Sequence, residues 1–539
     1  MQSTVRTATL QVMRELGMQT VFGNPGSTEL ALLNNWPDDF RYILGLQESI
    51  VVAMADGYAQ ATGRTAFVNL HSAAGVGHAM GSIFTAYKNQ TPMIITAGQQ
   101  ARSLLALQPF LGAQNATEFP KPYVKWSCEP ARSEDVPLAI AQAYSMASQA
   151  PCGPTFVSIP SDDWERPAAP LVLRKGSHAL GPDPRFIDDF ANIINASERP
   201  AIVFGPGVGR EGVQDIVVDL IERIGADAWA APLISRDGVA QDHPLFAGFL
   251  PAAAEPLCET LSGYDCVLVL GGPAFLLHVP GNPVVAGQMP TILQMTDDAV
   301  AAAASPLASS IIASLSVALP VLAARLELRP SRSTARAVPA APAPATPFAA
   351  EFVMHVIAGL APVDAIFVEE APSHKGAMQR YLPVKADQHF YAMASGGLGF
   401  GLPAASGIAL AHPERRVIAI IGDGSAMYSI QGLWTAVQEG LPVTFIILNN
   451  QGYGAMRAFS RMMQIRNVPG IDVSGINFVQ LAGALGCPAT LAQDPDTLTR
   501  AFRTSLETPG PTLIEVSVGA TPGPLYEPLT PAAENRPTV

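Results

Sequence analysis

The sequence predicts an α/β protein of three domains, each built on a doubly wound, mostly parallel sheet flanked by helices. Short apolar runs rich in β-branched residues, such as residues 417–421 and 443–448, alternate with helical segments. This pattern is typical of strands buried on both faces of a parallel sheet. Residues 330–347 are rich in Pro and Ala and lack large packing side chains, which indicates an extended linker. We therefore expect domains at residues 1–180, 181–329 and 348–539.

The N-terminal domain is expected to contain five strands. The apolar runs that predict them are separated by helical segments, and this alternation indicates a doubly wound domain. The predicted strands are residues 20–22, 42–46, 65–70, 93–97 and 155–159.

The middle domain opens near Arg199 and is expected to have a later strand at residues 266–270. Its loop at residues 205–209 reads Gly-Pro-Gly-Val-Gly, a weak match to a dinucleotide-binding motif. Proline interrupts it, and no acidic residue ends a following strand at the expected distance. We interpret it as a structural loop. A flavin or nicotinamide oxidoreductase is the alternative that it would support.

Residues 299–328 are almost uncharged and could be mistaken for a membrane span. Serines and prolines interrupt the segment, so the unbroken run of roughly 20 apolar residues that a spanning helix needs is missing. We expect a strand at residues 311–315 and a helix at residues 319–326. Pro320 would then lie in the first helical turn, where a missing N–H does no harm.

The composition limits the partners and the location of the protein. The formal net charge is −13 and basic clusters are absent, which argues against nucleic acid and an anionic membrane surface as partners. The five cysteines are scattered, odd in number and without zinc-ligand spacing, as is typical of buried thiols in a reducing compartment. Residues 1–17 lack the apolar core of a signal peptide. We expect a cytoplasmic protein that acts on small molecules.

Polar residues follow the two apolar strands of the C-terminal domain. Asp423 comes after residues 417–421 and Asn450 after residues 443–448, with one helix predicted between them. Open α/β sheets bind ligands at the carboxyl ends of their strands, so the two side chains can converge. Their oxygens suit Mg²⁺ or Ca²⁺, and Gly422 and Gly424 let the backbone approach a phosphate. The pattern predicts a metal-bridged phosphate; an ordinary turn is the alternative for an isolated Gly-Asp-Gly.

Gly-Asp-Gly, 24 intervening residues and Asn-Asn together resemble the cofactor signature of the thiamine diphosphate-dependent enzymes, the family of 2-keto acid decarboxylases and acetolactate synthases. The resemblance implies thiamine diphosphate and Mg²⁺ (or Ca²⁺) as cofactors, with Asp423, Asn450 and the carbonyl of Gly452 as metal ligands. Glu48 fits the family's glutamate, which bonds the aminopyrimidine ring and promotes proton loss from the thiazolium carbon. For Glu48 alone, a helix-capping acid is the alternative. The family places Glu48 and Asp423 on different subunits, so at least a homodimer is implied, and a homotetramer is expected.

Further motifs resemble the branch of this family that decarboxylates benzoylformate. Ser27 would bind the substrate carboxylate, His71 would serve the reacting group near the cofactor, and His278 would enter from the middle domain. Histidines suit such proton transfers because their unperturbed pKa is about 6.5. A structural role is the alternative for either histidine alone. The motifs are residues 21–27, 69–75, 124–127, 396–400 and 449–455, and the likeness extends over nearly the entire chain.

The resemblance also implies a larger set of binding residues. Leu398 would wedge between the two cofactor rings, with a core leucine in a Gly-rich turn as the alternative. The expected cofactor-binding residues are Pro25, Gly26, Glu48, Ser373, Gly396, Leu398, Gly422, Asp423, Gly424, Ser425, Tyr428, Asn450, Gly452, Tyr453, Gly454 and Ala455. The expected substrate pocket comprises Ser27, Phe110, Leu111, Ala392, Ala455 and Phe459.

Two positions depart from the family pattern. Ala392 stands where the branch has an aromatic residue, and Pro372 stands where it has a threonine. The first change removes volume from the predicted pocket wall, so we expect larger aryl groups to be accepted. The second removes a hydroxyl group near the cofactor.

The expected activity is the non-oxidative decarboxylation of an aromatic 2-keto acid to an aldehyde and carbon dioxide, with carboligation of aldehydes as a side activity. An acetolactate synthase-like carboligase is the main alternative, and a bound flavin would favour it. A pyruvate or indolepyruvate decarboxylase should show adjacent histidines, whereas Ser72 follows His71. Retention of Glu48 and both histidines argues against a non-catalytic thiamine-binding module.

Overall fold

Three parallel sheets of six strands each organise the chain. The computed structural model describes residues 3–174, 176–274, 276–279, 281, 289–305, 307–330, 339–520 and 523. The sheets fall within residues 20–160, 200–312 and 366–517 of that part, and helices flank each of them. The predicted fold class is confirmed. The domain boundaries stay a prediction, and residues 331–338 of the expected linker lie outside the described residues.

The N-terminal sheet has the strand order β2-β1-β3-β4-β6-β5. All five predicted strands are present, and a short sixth, β5, was not predicted. The strands are β1 Thr20–Gly23, β2 Arg41–Leu44, β3 Ala66–Leu70, β4 Met93–Gln99, β5 Ser127–Cys128 and β6 Pro154–Pro160. The helices are α1 Val5–Glu15, α2 Leu30–Leu33, α3 Glu48–Thr62, α4 Ser72–Lys88, α5 Arg102–Leu105 and α6 Val136–Ser148.

The middle sheet has the order β12-β11-β10-β7-β8-β9. Its strands are β7 Pro200–Phe204, β8 Asp227–Ala230, β9 Phe246–Phe249, β10 Cys266–Leu270, β11 Thr291–Thr296 and β12 Ala308–Ile312. Its helices are α7 Pro184–Ala196, α8 Pro206–Arg210, α9 Gln214–Ile224, α10 Ala254–Leu261, α11 Ala299–Ala303 and α12 Leu315–Ala323. The Gly-rich segment predicted as a loop forms the short helix α8 instead, and it packs closely on the residues that follow β10: a Cβ at Gly207 would lie 2.6 Å from Gly271 Cα.

The predicted bounds near Pro320 were wrong. The strand ends at Ile312 and the helix α12 begins at Leu315, so Pro320 lies inside the helix rather than in its first turn. The buried side chains Leu315, Ala318, Leu319 and Leu322 form one apolar face, which fixes the earlier start. Pro320 is exposed, so water can reach the carbonyl group that lacks its helical donor.

The C-terminal sheet has the order β14-β13-β15-β16-β18-β17. Its strands are β13 Ile366–Glu370, β14 His389–Ala392, β15 Val417–Gly422, β16 Val443–Asn449, β17 Ala489–Ala492 and β18 Thr512–Ser517. Its helices are α13 Ala350–Leu360, α14 Lys375–Tyr381, α15 Gly401–Ala411, α16 Asp423–Ala426, α17 Gly432–Gln438, α18 Gly454–Met462, α19 Phe478–Ala484 and α20 Pro495–Glu507.

The single helix predicted between β15 and β16 is in fact two short helices, α16 and α17. Between them the backbone forms tighter turns, in which Tyr428 N–H donates to Ser425 and Ser429 N–H donates to Ala426. Met427 is 38% exposed, so it does not join the buried face formed by Leu433 and its neighbours. The apolar spacing continued through a turn that periodicity does not distinguish from a helix.

Close packing joins the C-terminal domain to the other two domains. The backbones of helices α3 and α15 are in direct contact: a Cβ at Gly407 would lie 1.9 Å from Met54 O, and one at Gly57 would lie 2.3 Å from Ala404 O. The middle domain pairs with strand β14, since Ala392 N–H donates to Ser235 O at 2.8 Å. In the described part of the chain, no helix is long and apolar enough to cross a membrane.

Candidate active site

The carboxyl ends of β15 and β16 bring Asp423 and Asn450 together. The N–H of Gly452 donates to Asp423 Oδ2 at 2.9 Å and to Asn450 Oδ1 at 3.2 Å. Both side chains are 3% exposed. Burial raises the pKa of Asp423, although N–H groups of Gly424 and Gly452 oppose the shift. A buried carboxylate beside an amide oxygen, with few neutralising charges, is an environment that a bound cation would stabilise.

Three glycines let the backbone segments around Asp423 and Asn450 pack closely. A Cβ at Gly424 would lie 2.6 Å from the ring of Tyr453, and one at Gly452 would lie 2.4 Å from Ile471 O. A Cβ at Gly454 would lie 2.7 Å from Ser373 Oγ, and that hydroxyl accepts a hydrogen bond from Ala455 N–H at 2.9 Å. The predicted residues Ser373, Gly424, Gly452, Gly454 and Ala455 therefore belong to one tightly packed set of helix starts and connecting segments.

The loop that carries Leu398 leaves the sheet after β14. Gly396 and Gly399 have φ values of 73° and 102°, a conformation that glycine adopts without strain. The fully buried carboxylate of Glu370 accepts hydrogen bonds from Gly399 N–H at 2.6 Å and from Gly401 N–H. Burial raises the pKa of Glu370 to about 7. Leu398 is half-buried, so part of its side chain is free to contact a bound ligand.

A second group of predicted residues lies in the N-terminal domain. His71 follows β3, and its Nδ1 lies 2.9 Å from Glu29 Oε2 and 3.1 Å from Thr28 Oγ1. Gly26 packs on the imidazole, since a Cβ there would lie 2.1 Å from Nδ1. Ser27 is exposed next to this cluster. The structure therefore brings together Ser27 and His71, the two predicted N-terminal residues that would contact substrate.

The turn after His71 is held in an unusual conformation. Ser72 has a φ of 53°, which costs a non-glycine residue of order 1–3 kcal/mol. Its hydroxyl donates to Leu111 O at 2.7 Å, and Leu111 itself has a φ of 65°. These contacts fix His71 relative to the loop that carries Phe110 and Leu111. The side chain of Phe110 is 88% exposed, so in a single chain it lines no closed pocket.

Glu48 begins helix α3 and is mostly buried, with 13% of its side chain exposed. Its Oε2 lies 3.1 Å from His78 Nδ1, and a Cβ at Gly75 would lie 3.2 Å from its Oε1. The helix cap is instead Gln47, which accepts from Ser49 N–H at 2.8 Å. Glu48 thus does not cap the helix with its side chain, and one carboxylate oxygen faces a gap that only glycine leaves.

Two predicted residues from different domains meet on the C-terminal side. The rings of His278 and Phe459 lie 5.0 Å apart between centroids, at an interplanar angle of 75°. Phe459 lies on α18, the helix that begins at Gly454. His278 therefore lies close to α18, the helix that begins at the predicted cofactor-binding residue Gly454.

Ala392 has different surroundings from those expected of a pocket wall. It is 1% exposed and belongs to the C-terminal core, together with Phe367, Met378 and Phe390. The role of Ala392 in substrate binding stays a prediction. The structure gives no support for the expectation that this alanine enlarges the pocket.

The predicted residues form two half-sites rather than one. Ser27, Glu48 and His71 form the N-terminal half-site, whereas Leu398, Asp423 and Asn450 with their loops form the C-terminal one. Among the hydrogen bonds and ion pairs of the described residues, none joins Ser27, Glu48 or His71 to the C-terminal half-site. In the described part of a single chain, the two half-sites are therefore not linked to each other by polar side-chain contacts of these three residues.

The donor set of the C-terminal half-site fits a metal-bridged diphosphate. One carboxylate, one amide oxygen and one backbone carbonyl suit a hard cation, and the glycine loops leave the backbone bare for phosphate. Among the described residues, no group of three or more His, Cys, Asp or Glu side chains could hold a metal ion. The predicted metal site contains only one carboxylate, that of Asp423, so it is not a cluster of this type.

Sequence reasoning missed Glu29, His78 and Glu370. Glu29 has a local signal, since its side chain accepts from the N–H of Gly26 three residues earlier, which is half of a capping-box pattern. His78 follows His71 by two helical turns on α4, and spacing alone gives no reason to place it beside Glu48. Glu370 ends a buried strand, where only the fold shows which loop it contacts.

The chain matches three domain families of thiamine pyrophosphate enzymes. They are the N-terminal TPP binding domain at residues 3–119, the central domain at residues 187–321 and the C-terminal TPP binding domain at residues 371–516. It is also 42% identical over 523 residues to a benzoylformate decarboxylase of Pseudomonas aeruginosa, which covers 95% of this chain and 98% of the relative.

Solved structures agree with these matches. The benzoylformate decarboxylase of Polynucleobacter necessarius has a TM-score of 0.94 at 38% identity and covers 97% of this chain and 100% of that one. A thiamine diphosphate-dependent 4-hydroxybenzoylformate decarboxylase of Rhodococcus jostii has a TM-score of 0.92 at 39% identity, covering 98% and 100%. The chain belongs to the thiamine pyrophosphate enzyme family, among the relatives of benzoylformate decarboxylase.

Proposed function

We propose that the protein catalyses the thiamine diphosphate-dependent, non-oxidative decarboxylation of an aromatic 2-keto acid to an aldehyde and carbon dioxide. The relatives described above, which act on benzoylformate and 4-hydroxybenzoylformate, support this substrate class. The observation that carries the proposal is the convergence of Asp423 and Asn450 on one backbone N–H at the carboxyl end of the C-terminal sheet. That arrangement supports a bound diphosphate and its metal.

The C-terminal half-site would hold the cofactor. Asp423, Asn450 and the carbonyl of Gly452 would bind Mg²⁺ or Ca²⁺, and the loops at Gly424 and Gly454 would contact the diphosphate. When bound, thiamine diphosphate supplies the carbon that adds to the keto group and the ring system that accepts the electrons released with carbon dioxide. Leu398 would pack against the cofactor and hold its two rings at a fixed angle.

The N-terminal half-site would supply proton transfer and substrate binding. Glu48 would accept a hydrogen bond from the aminopyrimidine ring, and its mostly buried carboxylate strengthens that bond. Ser27 would donate a hydrogen bond to the substrate carboxylate. His71, together with His278 from the middle domain, would give and take protons at the oxygen and carbon of the acyl group, because an imidazole can both donate and accept a proton.

We propose further that a second copy of the chain completes each site. Large apolar side chains are exposed beside both half-sites: Leu107 is 75% and Phe110 is 88% exposed on the N-terminal side, and Met463 is 56% and Ile465 is 52% exposed beyond α18. Such patches mark protein interfaces. A dimer would bring Glu48 of one chain to Asp423 of the other, and two dimers would form a tetramer.

The cytoplasmic location stays a prediction.

The substrate proposal is tested with a panel of 2-keto acids. Purified protein with thiamine diphosphate and Mg²⁺ is given benzoylformate, 4-hydroxybenzoylformate, pyruvate and indolepyruvate, and the products are identified by chromatography. We expect aldehyde from the aryl glyoxylates, with the highest kcat/KM in the panel. Acetolactate from pyruvate, without benzaldehyde from benzoylformate, would support the carboligase alternative and contradict the proposal.

The shared site is tested by mixing two inactive variants. Glu48→Gln and Asp423→Ala are expected to be inactive separately, but a mixed dimer has one intact site. Random exchange of subunits should restore roughly a quarter of wild-type activity, since half of the dimers are mixed and each has one working site of two. Lack of any recovery, with exchange confirmed by mass spectrometry, would show that each chain builds its own site.

A further inference from the structure

Glu29 is the most extensively bonded carboxylate in the N-terminal half-site. Its side chain is 1% exposed. Its Oε1 accepts from Thr28 Oγ1 at 2.7 Å and from Gly98 N–H at 2.9 Å. Its Oε2 accepts from Gly26 N–H at 2.8 Å and lies 2.9 Å from His71 Nδ1. Three donors are therefore fixed by their chemistry, and His71 occupies the fourth position.

The surroundings of Nδ1 determine which ring nitrogen of His71 carries the proton. Glu29 Oε2 can only accept there, because the carboxylate is already surrounded by donors. Thr28 Oγ1 lies 3.1 Å from Nδ1, and its single proton is directed to Glu29 Oε1, so toward the imidazole it can also only accept. Two acceptors facing one nitrogen require that nitrogen to be the donor. The neutral ring therefore has its proton on Nδ1 and its lone pair on Nε2.

The same carboxylate fixes the backbone next to Ser27. Gly26 N–H is bonded to Glu29, and Gly26 packs flat on the imidazole, because a Cβ there would lie 2.4 Å from Cε1. Gly98 N–H, at the end of β4, anchors the other oxygen. One buried group thus sets the position of Ser27 and the orientation of His71 together.

We propose that Glu29 is a positioning residue for the reaction, one that holds His71 in the Nδ1-protonated tautomer so that Nε2 exchanges protons with the acyl group. This inference rests on the proposed function, in which His71 faces substrate. Glu29 does not touch substrate; it acts through His71, as a carboxylate does when it fixes the tautomer of a catalytic imidazole. Without the Glu29 carboxylate, the imidazole ring of His71 could rotate or carry its proton on Nε2. In that tautomer Nε2 could not accept a proton from the acyl group.

The first test needs no Glu29 variant. Protein labelled with ¹⁵N-histidine, compared with His71→Ala to assign the resonance, reports by solid-state NMR which ring nitrogen is protonated. We expect Nδ1–H and a bare Nε2 in the neutral ring of the wild-type protein. A proton on Nε2 would overturn the proposal, and this outcome does not depend on how any Glu29 variant folds.

The second test separates positioning from structure. Glu29→Gln puts an amide beside Nδ1, and we expect kcat to fall on the order of 10²-fold, the usual contribution of a general acid or base, with thiamine diphosphate binding retained. Glu129→Gln is the matched control, because Glu129 is a partly buried glutamate of the same domain that bonds Ser158 at 2.7 Å and does not contact His71. The control should keep wild-type kcat.

A double-variant cycle completes the test. If Glu29 acts through His71, Glu29→Gln should have almost no further effect in a His71→Ala background. Losses that multiply in the double variant would overturn the proposal, as would wild-type kcat in Glu29→Gln. The failure of the proposed function looks different: the wild-type protein itself would release no aldehyde from aryl glyoxylates, while the ring-proton measurement would still report the tautomer of His71.

Discussion

Asp423 and Asn450 point their oxygens at the same backbone N–H, that of Gly452, at 2.9 and 3.2 Å. They come from neighbouring parallel strands, β15 and β16, whose register pairs Gly422 with Leu448. The side chains that follow these paired residues therefore leave the sheet at the same edge. The buried Asp423 carboxylate, with the Asn450 amide oxygen beside it, is an environment that a bound cation would stabilise.

The first prediction concerns this pair. Asp423→Ala should abolish binding of thiamine diphosphate and of Mg²⁺ together, because a metal that bridges protein and phosphate needs its only carboxylate ligand. Isothermal calorimetry with and without Mg²⁺ measures both affinities. Asp364→Ala, at an exposed position of the same domain, is the control. Unchanged cofactor affinity in Asp423→Ala would remove Asp423 from the site.

The second prediction concerns Glu48. Glu48→Gln should bind the cofactor but slow proton loss from the thiazolium carbon, because an amide cannot accept the charge-assisted hydrogen bond that a carboxylate accepts. Hydrogen–deuterium exchange at that carbon, followed by quenched-flow NMR, gives the rate directly. Glu118→Gln, at an exposed position, should exchange at the wild-type rate. Equal rates in all three proteins would rule out the role of Glu48.

The sequence was informative where local pattern and topology agree. Buried strands such as β15 and β16 are continuous apolar runs, so the convergence of Asp423 and Asn450 followed from strand order alone. The contacts of His71 with Glu29 and of Glu48 with His78 could not be predicted, because they depend on how α3, α4 and the loop after β1 pack. The turn between α16 and α17 was missed because helical spacing continued through it.

A third prediction tests the packing of the N-terminal and C-terminal domains. Gly407→Ala should lower the free energy of unfolding by about 1–3 kcal/mol or more, because its Cβ would lie 1.9 Å from the carbonyl oxygen of Met54 on α3. Gly359→Ala is the matched control on α13, where a Cβ would meet nothing within 4 Å. There we expect a gain of about 0.4–1 kcal/mol. Denaturant unfolding that shifted both variants in the same direction would contradict the close contact.

The fourth prediction follows from Glu370. Burial raises its pKa from 4.5 to about 7, so between these values the folded protein keeps a proton that the unfolded chain has lost. The resulting stabilisation is present at low pH and is lost as the pH rises toward 7. Glu370→Gln is neutral throughout and should lose less stability than the wild-type protein between pH 5 and pH 8. Thermal unfolding across that range measures it, and parallel curves for the two proteins would show that Glu370 does not titrate there.

The last prediction concerns Ala392, where the sequence and the structure lead to different expectations. The sequence suggested a pocket wall with missing volume, so Ala392→Phe would restore a preference for benzoylformate over larger aryl glyoxylates. The structure places Ala392 in the C-terminal core, 1% exposed, where a phenyl ring would force its neighbours apart. We therefore expect Ala392→Phe to lower the free energy of unfolding by about 1–3 kcal/mol and to leave the ranking of para-substituted substrates by kcat/KM unchanged. Ala324→Phe, at an exposed helix end, should do neither. A reversed substrate ranking with unchanged stability would instead show that residue 392 faces the acyl group once the second chain completes the site.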